Sequence, residues 1–320
     1  MSRSRDNPVF DNQAAGNIMD YTEDSITAYF AQAKNLNSDR FPIGIGDDMA
    51  QMQLENSNAL ISTDMLLDGS HFDTDIHSPE NIGYKAAAVS LSDAAAMATV
   101  PFAMVASVGI PDWWGAEKLK ELHSGLLRAC SLFQCSLIGG DITSWRAEGK
   151  LAVCSTVISR PGVTKPLERG GAKQEDLICV TGELGGSLEG KHINFTPKVN
   201  EALWIAEKLS PTSMMDITDG LSTDLHRILK ASGAGAILES ELIPVSKAAK
   251  DKKEPLRAAL NDGEDFELLF TIPEKNKNLI KNADFKISVI GKIASSNGLF
   301  IKNASGQTTE LKPEGFDHLG

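Results

Sequence analysis

The sequence predicts a two-domain chain of mixed α+β and α/β class, and three observations carry that expectation. Its 320 residues are enough for two domains of ordinary size, each with its own core. Apolar strand-like runs alternate with helix-length segments along most of the length. The stretch "SRPGVTKPLERGGAKQED" over 159–176 gathers Pro, Gly and charge, as inter-domain junctions do. The expected division is a loose polar arm over 1–20, a first domain over 21–158 and a second over 159–320.

Taken in order, Thr22 caps a helix over 22–34 whose Ile26, Tyr29, Phe30 and Ala33 share one face. "ALISTDMLLDGSHF" (59–72) opens as a short apolar strand. "NIGYKAAAVSLSDAAAMA" (81–98) is a helix with small side chains all round, hence one packed closely against its neighbours. "PFAMVASVGI" (101–110) is a strand. Leu119, Leu122, Leu126, Cys130 and Phe133 then recur at the spacing of an amphipathic helix. "CSLIGGDIT" and "KLAVCSTVIS" read as strands around a turn. Beyond the junction, "LICVTG" is a strand and a helix falls near 199–209. "MMDITDGLSTDLHRILKASG" is a strand, an acidic turn and a helix closed by Gly233. "FELLFTI" and "KISVIGKI" are further strands.

Composition narrows the function. A formal net charge of −12 argues against a nucleic-acid partner, which needs a basic footprint. No apolar run approaches the roughly 20 residues of a membrane span, and the N-terminus has no apolar signal core. Cysteines 130, 135, 154 and 179 form no C-x-x-C pair and no ligand-like spacing with histidine. Cys154 and Cys179 lie in apolar runs and are expected as buried free thiols, in a reducing cytoplasm. An acidic chain can still take a phosphate-bearing ligand if its acids hold cations that in turn hold phosphates.

The acids recur in one kind of place, just after an apolar run or inside a tight turn. Asp47 and Asp48 follow "IGIG", Asp64 follows "LIST" and Asp141 follows "LIGG". Asp216 and Asp219 lie in "MMDITDG", and Glu264 and Asp265 in "NDGEDF". Ligands of α/β sheets gather beyond strand carboxyl ends, where such side chains project. Turn chemistry explains any one of these acids, and Asp219 could simply cap the helix that follows. It does not explain Asp93, set inside the alanine-rich helix, because a carboxylate there needs a partner. Hard divalent cations want several oxygen ligands, and Mg²⁺ is held by a few carboxylates plus substrate phosphates. Magnesium is therefore the expected charge between the acids.

"GGSLEGKH" (185–192) nearly matches the phosphate loop G-x-x-x-x-G-K-[ST], but His192 stands where the metal-binding hydroxyl belongs. The following "INFTP" cannot start the required helix. Gly182, Gly185 and Gly186 either admit a ligand to the backbone or only make a turn. No Ser-His-Asp or Cys-His arrangement supports nucleophilic catalysis. His71 by itself reads as a surface histidine as readily as a functional one.

Together, "GIGDDMA", "ISTDMLLDGSHF", "YKAAAVSLSDAAAMA", "LIGGDIT", "VTGELGGS", "MMDITDGLSTDL", "DGEDFELLFT" and the closing "GFDHL" resemble the motifs of the thiamine-monophosphate kinases in order and spacing. Those enzymes belong to the aminoimidazole ribonucleotide (AIR) synthetase superfamily, and the resemblance runs from about Ile43 to Leu319. It implies an AIR-synthetase-like fold in which N-terminal domains pair across a homodimer and the C-terminal domain completes the ATP and substrate site. It implies direct transfer of the γ-phosphoryl of ATP to thiamine monophosphate, with several Mg²⁺ ions. By resemblance the metal ligands fall on Asp48, Ser62, Thr63, Asp64, Asp93, Asp141, Asp216 and Asp219. Nucleotide contacts fall on Gly140, Asp141, Arg169 and Thr218, and acceptor contacts on His71, Glu264 and Phe316. Asp64, Asp93 and Asp141 are the expected essential acids, as scaffolds for cations rather than as bases.

The sequence departs from the family pattern at Asp262, in place of the first glycine of Gly-Gly-Glu-Asp, and at Pro313, near an aromatic position. The stretch between "VTGELGGS" and "MMDITDG" is also short and holds "GKHINFTPK". All three concern the acceptor side or the second domain. Competing readings are a superfamily relative with another acceptor, a non-catalytic nucleotide binder and a calcium-binding structural protein. A selenophosphate synthetase would need a reactive Cys near the N-terminus, whereas the first here is Cys130.

Overall fold

The computed structural model describes residues 39–316 except 56 and 146–148. The expected arm over 1–20, the helix over 22–34 and the last residues of "GFDHL" lie outside the described residues. The first domain contains β1 (Ala50–Leu54), β2 (Ser57–Leu67), helix α1 (Pro79–Ala96), β3 (Thr99–Ile110), helix α2 (Ala116–Ser131), β4 (Ser136–Ser144) and β5 (Ala152–Pro161). Its sheet runs β1-β2-β5-β3-β4. β4 and β5 do not form a hairpin. β5 inserts antiparallel between β2 and β3, while β4 sits on the far edge, parallel to β3. Local sequence marks both as strands but carries no information on which partner each finds.

Helices α1 and α2 cover one face of this sheet. Ser78 caps α1 by accepting the Asn81 N–H, with Pro79 in the first turn. α1 is buried nearly all round because α2, β5 and, from the second domain, the strand Ser213–Asp216 and the helix Val199–Leu209 all pack on it. That is why its positions are mostly Ala and Ser rather than an apolar stripe. α2 has the expected one-sided pattern, burying Leu122, Leu126 and Cys130, with Leu119 and Phe133 partly buried against the same core. The opposite face of the sheet carries Thr63, Met65 and Leu67, and Met65 is 60% exposed.

The second domain contains β6 (Leu177–Thr181), α3 (Val199–Leu209), β7 (Ser213–Asp216), α4 (Leu221–Ser232), β8 (Gly235–Glu239), α5 (Lys247–Lys250) and α6 (Pro255–Asn261). It continues with β9 (Leu268–Ile272), β10 (Ile287–Ala294), β11 (Gly298–Lys302) and β12 (Thr308–Glu310). The sheet order is β12-β11-β8-β10-β6-β9-β7, antiparallel except between β8 and β11. Gly233 ends α4 in the left-handed conformation, as the sequence predicts. After β6 the chain makes two short 3-10 turns, Ser187–Glu189 and Lys191–Ile193, instead of the long helix of a phosphate loop.

The domains share apolar packing. Ala95 and Ala98 join Leu177, Cys179 and Phe270 in one cluster, while Ile193, Phe195 and Phe266 of the second domain enter the core of the first. All four cysteines are free. Cys179 is buried as expected, whereas Cys154 is only half-buried because it lies on the uncovered sheet face.

Candidate active site

Residues from both domains meet beside α1. Asp47 and Asp48 follow Gly46, whose φ of +132° makes the turn that aims both carboxylates inward. Much of the charge between these neighbours is resident: it is Arg169, from the junction. The Arg169 N–H donates to Asp47 Oδ1 at 2.7 Å, and its Nε and Nη2 reach the two Asp48 oxygens at 3.2 and 2.9 Å. Burial works against the Arg169 charge, but Asp48 and then Asp216 hold its pKa above the ordinary value.

Asp48, Asp93 and Asp216 each offer an oxygen, all within 4.8 Å of one another. Each further acid is held by a serine. Ser62 donates to Asp93, Ser90 to Asp64 at 2.6 Å, and Ser92 to Asp216 at 2.5 Å. Ser90 in turn meets the Ser155 hydroxyl of β5 at 2.7 Å. The sequence reading missed Ser90, Ser92 and Ser155. Their signal lay in "SLSD", where Ser90 stands one helical turn before Asp93.

The electrostatics follow from burial and like charge. Burial, then Asp64, Asp216 and Asp48, push the Asp93 carboxyl well above the ordinary range. Asp64 is raised by burial and by Asp48, against the Ser90 hydrogen bond. Burial and Asp48 push Asp216 up to about 7, with Ser92 and Arg169 opposing. So many carboxylates cannot all ionise together without an added cation. Oxygen-only donors with hydroxyls behind them suit a hard divalent ion.

Other expected ligands lie apart from this point. Asp219 is held by Arg227 at 2.5 Å and does not cap α4. The N–H groups of Thr218, Asp219 and Gly220 all point to Asp224 instead, at 3.0, 3.1 and 3.1 Å. Thr63 turns its hydroxyl to the uncovered sheet face, 2.9 Å from Thr156. Gly140 lies in the row Asp64–Ser155–Ala106–Gly140, on the helix side of the sheet. Three strand spacings separate it from Asp64, about 14 Å. Asp141, one residue on, belongs to the row of Met65, Cys154 and Ser107 on the uncovered side. Gly140 and Asp141 border a cavity of about 880 Å³ between β4 and α2, which Lys120 and His123 also line. No motif in the sequence marks Lys120 or His123.

Two of the residues expected to contact the acceptor, His71 and Glu264, meet at Lys85 towards the N-terminal end of α1. Lys85 reaches Glu264 and the main chain of His71, while the His71 ring accepts the Leu67 N–H at 3.0 Å. Phe195 and Phe266 stack with ring centroids 3.9 Å apart, and Tyr84 donates to the Phe195 carbonyl. His77 and His192 meet edge to face at 5.5 Å. Phe316 is exposed, and its N–H donates to the Asp219 carbonyl. The glycine turn is spent internally. Gly185 N–H binds Asp265, and Gly186 N–H binds Asp262, which also pairs with Lys252 at 2.8 Å. Asp262 thus replaces a glycine without presenting an unpaired charge.

This pair of domains is that of the AIR synthase related proteins. Residues 46–160 match the N-terminal domain of that family and residues 176–302 its C-terminal domain. The chain is 33% identical over 311 residues to the thiamine-monophosphate kinase of Rhodopirellula baltica, covering 92% of this chain and 97% of the relative. It is 34% identical to that of Escherichia coli K12, covering 92% and 97%. Among solved structures, AaThiL complexed with AMPPCP and TMP superposes with a TM-score of 0.80 at 26% identity, over 93% of this chain and 97% of that one. The chain belongs to the AIR synthase related family and, within it, to the thiamine-monophosphate kinases.

Proposed function

We propose that this chain transfers the γ-phosphoryl group of ATP to the phosphate of thiamine monophosphate, giving thiamine diphosphate and ADP, as a cytoplasmic homodimer. The observation that carries the reading is the meeting of Asp48, Asp93 and Asp216, from three separate segments and both domains, within 4.8 Å. Asp48, Asp64, Asp93 and Asp216, with Ser62 beside them, would hold magnesium. Bound there, the ion neutralises charge as one phosphate group approaches another. The acceptor oxygen is already ionised at neutral pH, so the chain needs no general base, and none is required of His71. Arg169 holds Asp47 and Asp48 in place and offers its charge to the nucleotide. Thr218 joins it there, and the cavity beside Gly140 and Asp141 is large enough for a nucleotide. His71, Glu264 and Phe316 face the acceptor. The pairing of Asp262 with Lys252 and Gly186 supports an unchanged acceptor. Among the described residues no helix is long and apolar enough to cross a membrane.

In this reading Thr63, Asp141 and Asp219 complete the metal set. The position of Asp141 on the uncovered face, with exposed Met65 and Leu67 in the same sheet, favours its joining the site from a second copy whose sheet packs on this one. The test of the activity is formation of ADP and thiamine diphosphate by the purified protein with ATP, Mg²⁺ and thiamine monophosphate, with thiamine as control. Product from the monophosphate is expected, and ATP turnover only with another acceptor would overturn the assignment.

A further inference from the structure

Among the described residues, the one buried lysine or arginine is Lys85. It has no exposed surface, and in α1 it is followed by three alanines. An ammonium is strongly hydrated and carries three donors, so apolar surroundings admit it only with acceptors in reach. Its Nζ donates to Glu264 Oε2 at 2.5 Å and to the His71 carbonyl at 2.6 Å. The two acceptors come from different domains, and they belong to the two residues that flank the proposed acceptor position.

Glu264 shows why such a clamp matters. Its φ is +54°, a conformation that side-chain-bearing residues rarely adopt, following Gly263 at +73°. Its N–H donates to the Thr218 carbonyl at 2.6 Å, which ties its backbone to the turn beside the acid cluster. Lys85 takes one carboxylate oxygen. The other, Oε1, accepts no hydrogen bond among the described residues, and the side chain is 23% exposed. A cationic group such as the thiazolium ring of thiamine is the chemistry this oxygen suits.

We propose that Lys85 is a positioning residue for the acceptor, fixing Glu264 and the His71 turn in one arrangement so that the second Glu264 oxygen meets the cationic ring. The inference rests on the proposed kinase reading. Lys85 does not touch the reacting phosphates, and its effect runs through Glu264.

The test compares Lys85→Met, Glu264→Ala and the double variant with the unsubstituted chain. In Lys85→Met the KM for thiamine monophosphate should rise at least about tenfold while the KM for ATP changes less than about twofold. In the Glu264→Ala background the same lysine substitution should have little further effect on the acceptor KM. An unchanged acceptor KM, equal changes for both substrates, or an undiminished effect without Glu264 would overturn the proposal. Should Lys85→Met fail to fold, Glu264→Ala alone decides: a raised acceptor KM with an unchanged ATP KM is required, and an unchanged acceptor KM refutes it. If the unsubstituted chain makes no thiamine diphosphate, the kinase reading has failed instead. Thermal unfolding of the single and double variants then still reads whether Lys85 and Glu264 are coupled, and additive losses would refute the clamp.

Discussion

Charge at single residues is balanced here in two different ways. In the acid cluster the carboxylates crowd together, and Arg169 with three serines offsets only part of their repulsion. Asp265 is the other kind, a carboxylate sealed into a turn where both oxygens share the Gly185 N–H and the Ser187 hydroxyl adds a second donor. Burial nevertheless pushes the Asp265 carboxyl from 3.8 up to about 6, against those donors. The folded chain therefore holds this proton more tightly than the unfolded one, and its contribution to stability fades as pH rises from 3.8 through 6. Asp265→Asn cannot titrate. Its stability relative to the unsubstituted chain should climb by on the order of 3 kcal/mol across that window. Urea midpoints of both proteins at about pH 4 and about pH 7.5 measure it, and parallel shifts would mean that the site does not titrate on unfolding.

Helix α1 is the element on which the site is built. It supplies Lys85, Ser90, Ser92 and Asp93 along one length of chain, so its seating fixes the spacing of all four. That seating depends on two close backbone crossings with α2. A Cβ at Gly83 would fall 1.9 Å from the Leu122 carbonyl oxygen, and one at Gly125 would fall 1.8 Å from that of Glu80. Gly83→Ala should cost about 3 kcal/mol of stability and lower turnover even where the protein stays folded, because the helix must shift. Gly115→Ala, where a Cβ meets nothing within 4 Å, is the control and should cost less than about 1 kcal/mol, the loss of Gly as N-cap of α2. Equal unfolding midpoints for the two variants would show that α1 can move away from α2 without loss.

For the whole molecule, the question is how Asp141 reaches the acids if it acts with them. Within one chain it stands across the sheet from Asp64 and on the opposite side. Pairing of two uncovered faces would supply it from the other copy. Asp64→Ala and Asp141→Ala should then each be folded and inactive alone. Mixed and reassembled in equal amounts, half of the dimers are heterodimers with one intact site, so about one quarter of full activity should return. No recovery, from a mixture shown by mass spectrometry to contain heterodimers, would place Asp141 in its own chain's site or outside the reaction.

Much of this was legible in the chain itself. Strand and helix identities followed from periodicity and caps, as with the Leu119, Leu122 and Leu126 stripe of α2 and with Gly233, because these are local contests between neighbouring residues. The acids stood out by residue type and place, and Asp93 by its conflict with an alanine-rich helix. What only the tertiary structure decided was partnership. That β5 lies between β2 and β3, that Arg169 sits between Asp47 and Asp48, and that Lys85 bridges His71 to Glu264 all join residues far apart in sequence. The reason is physical. Such contacts are selected by burial and charge compensation among surfaces that exist only once the domains have formed, so no window of sequence contains both partners.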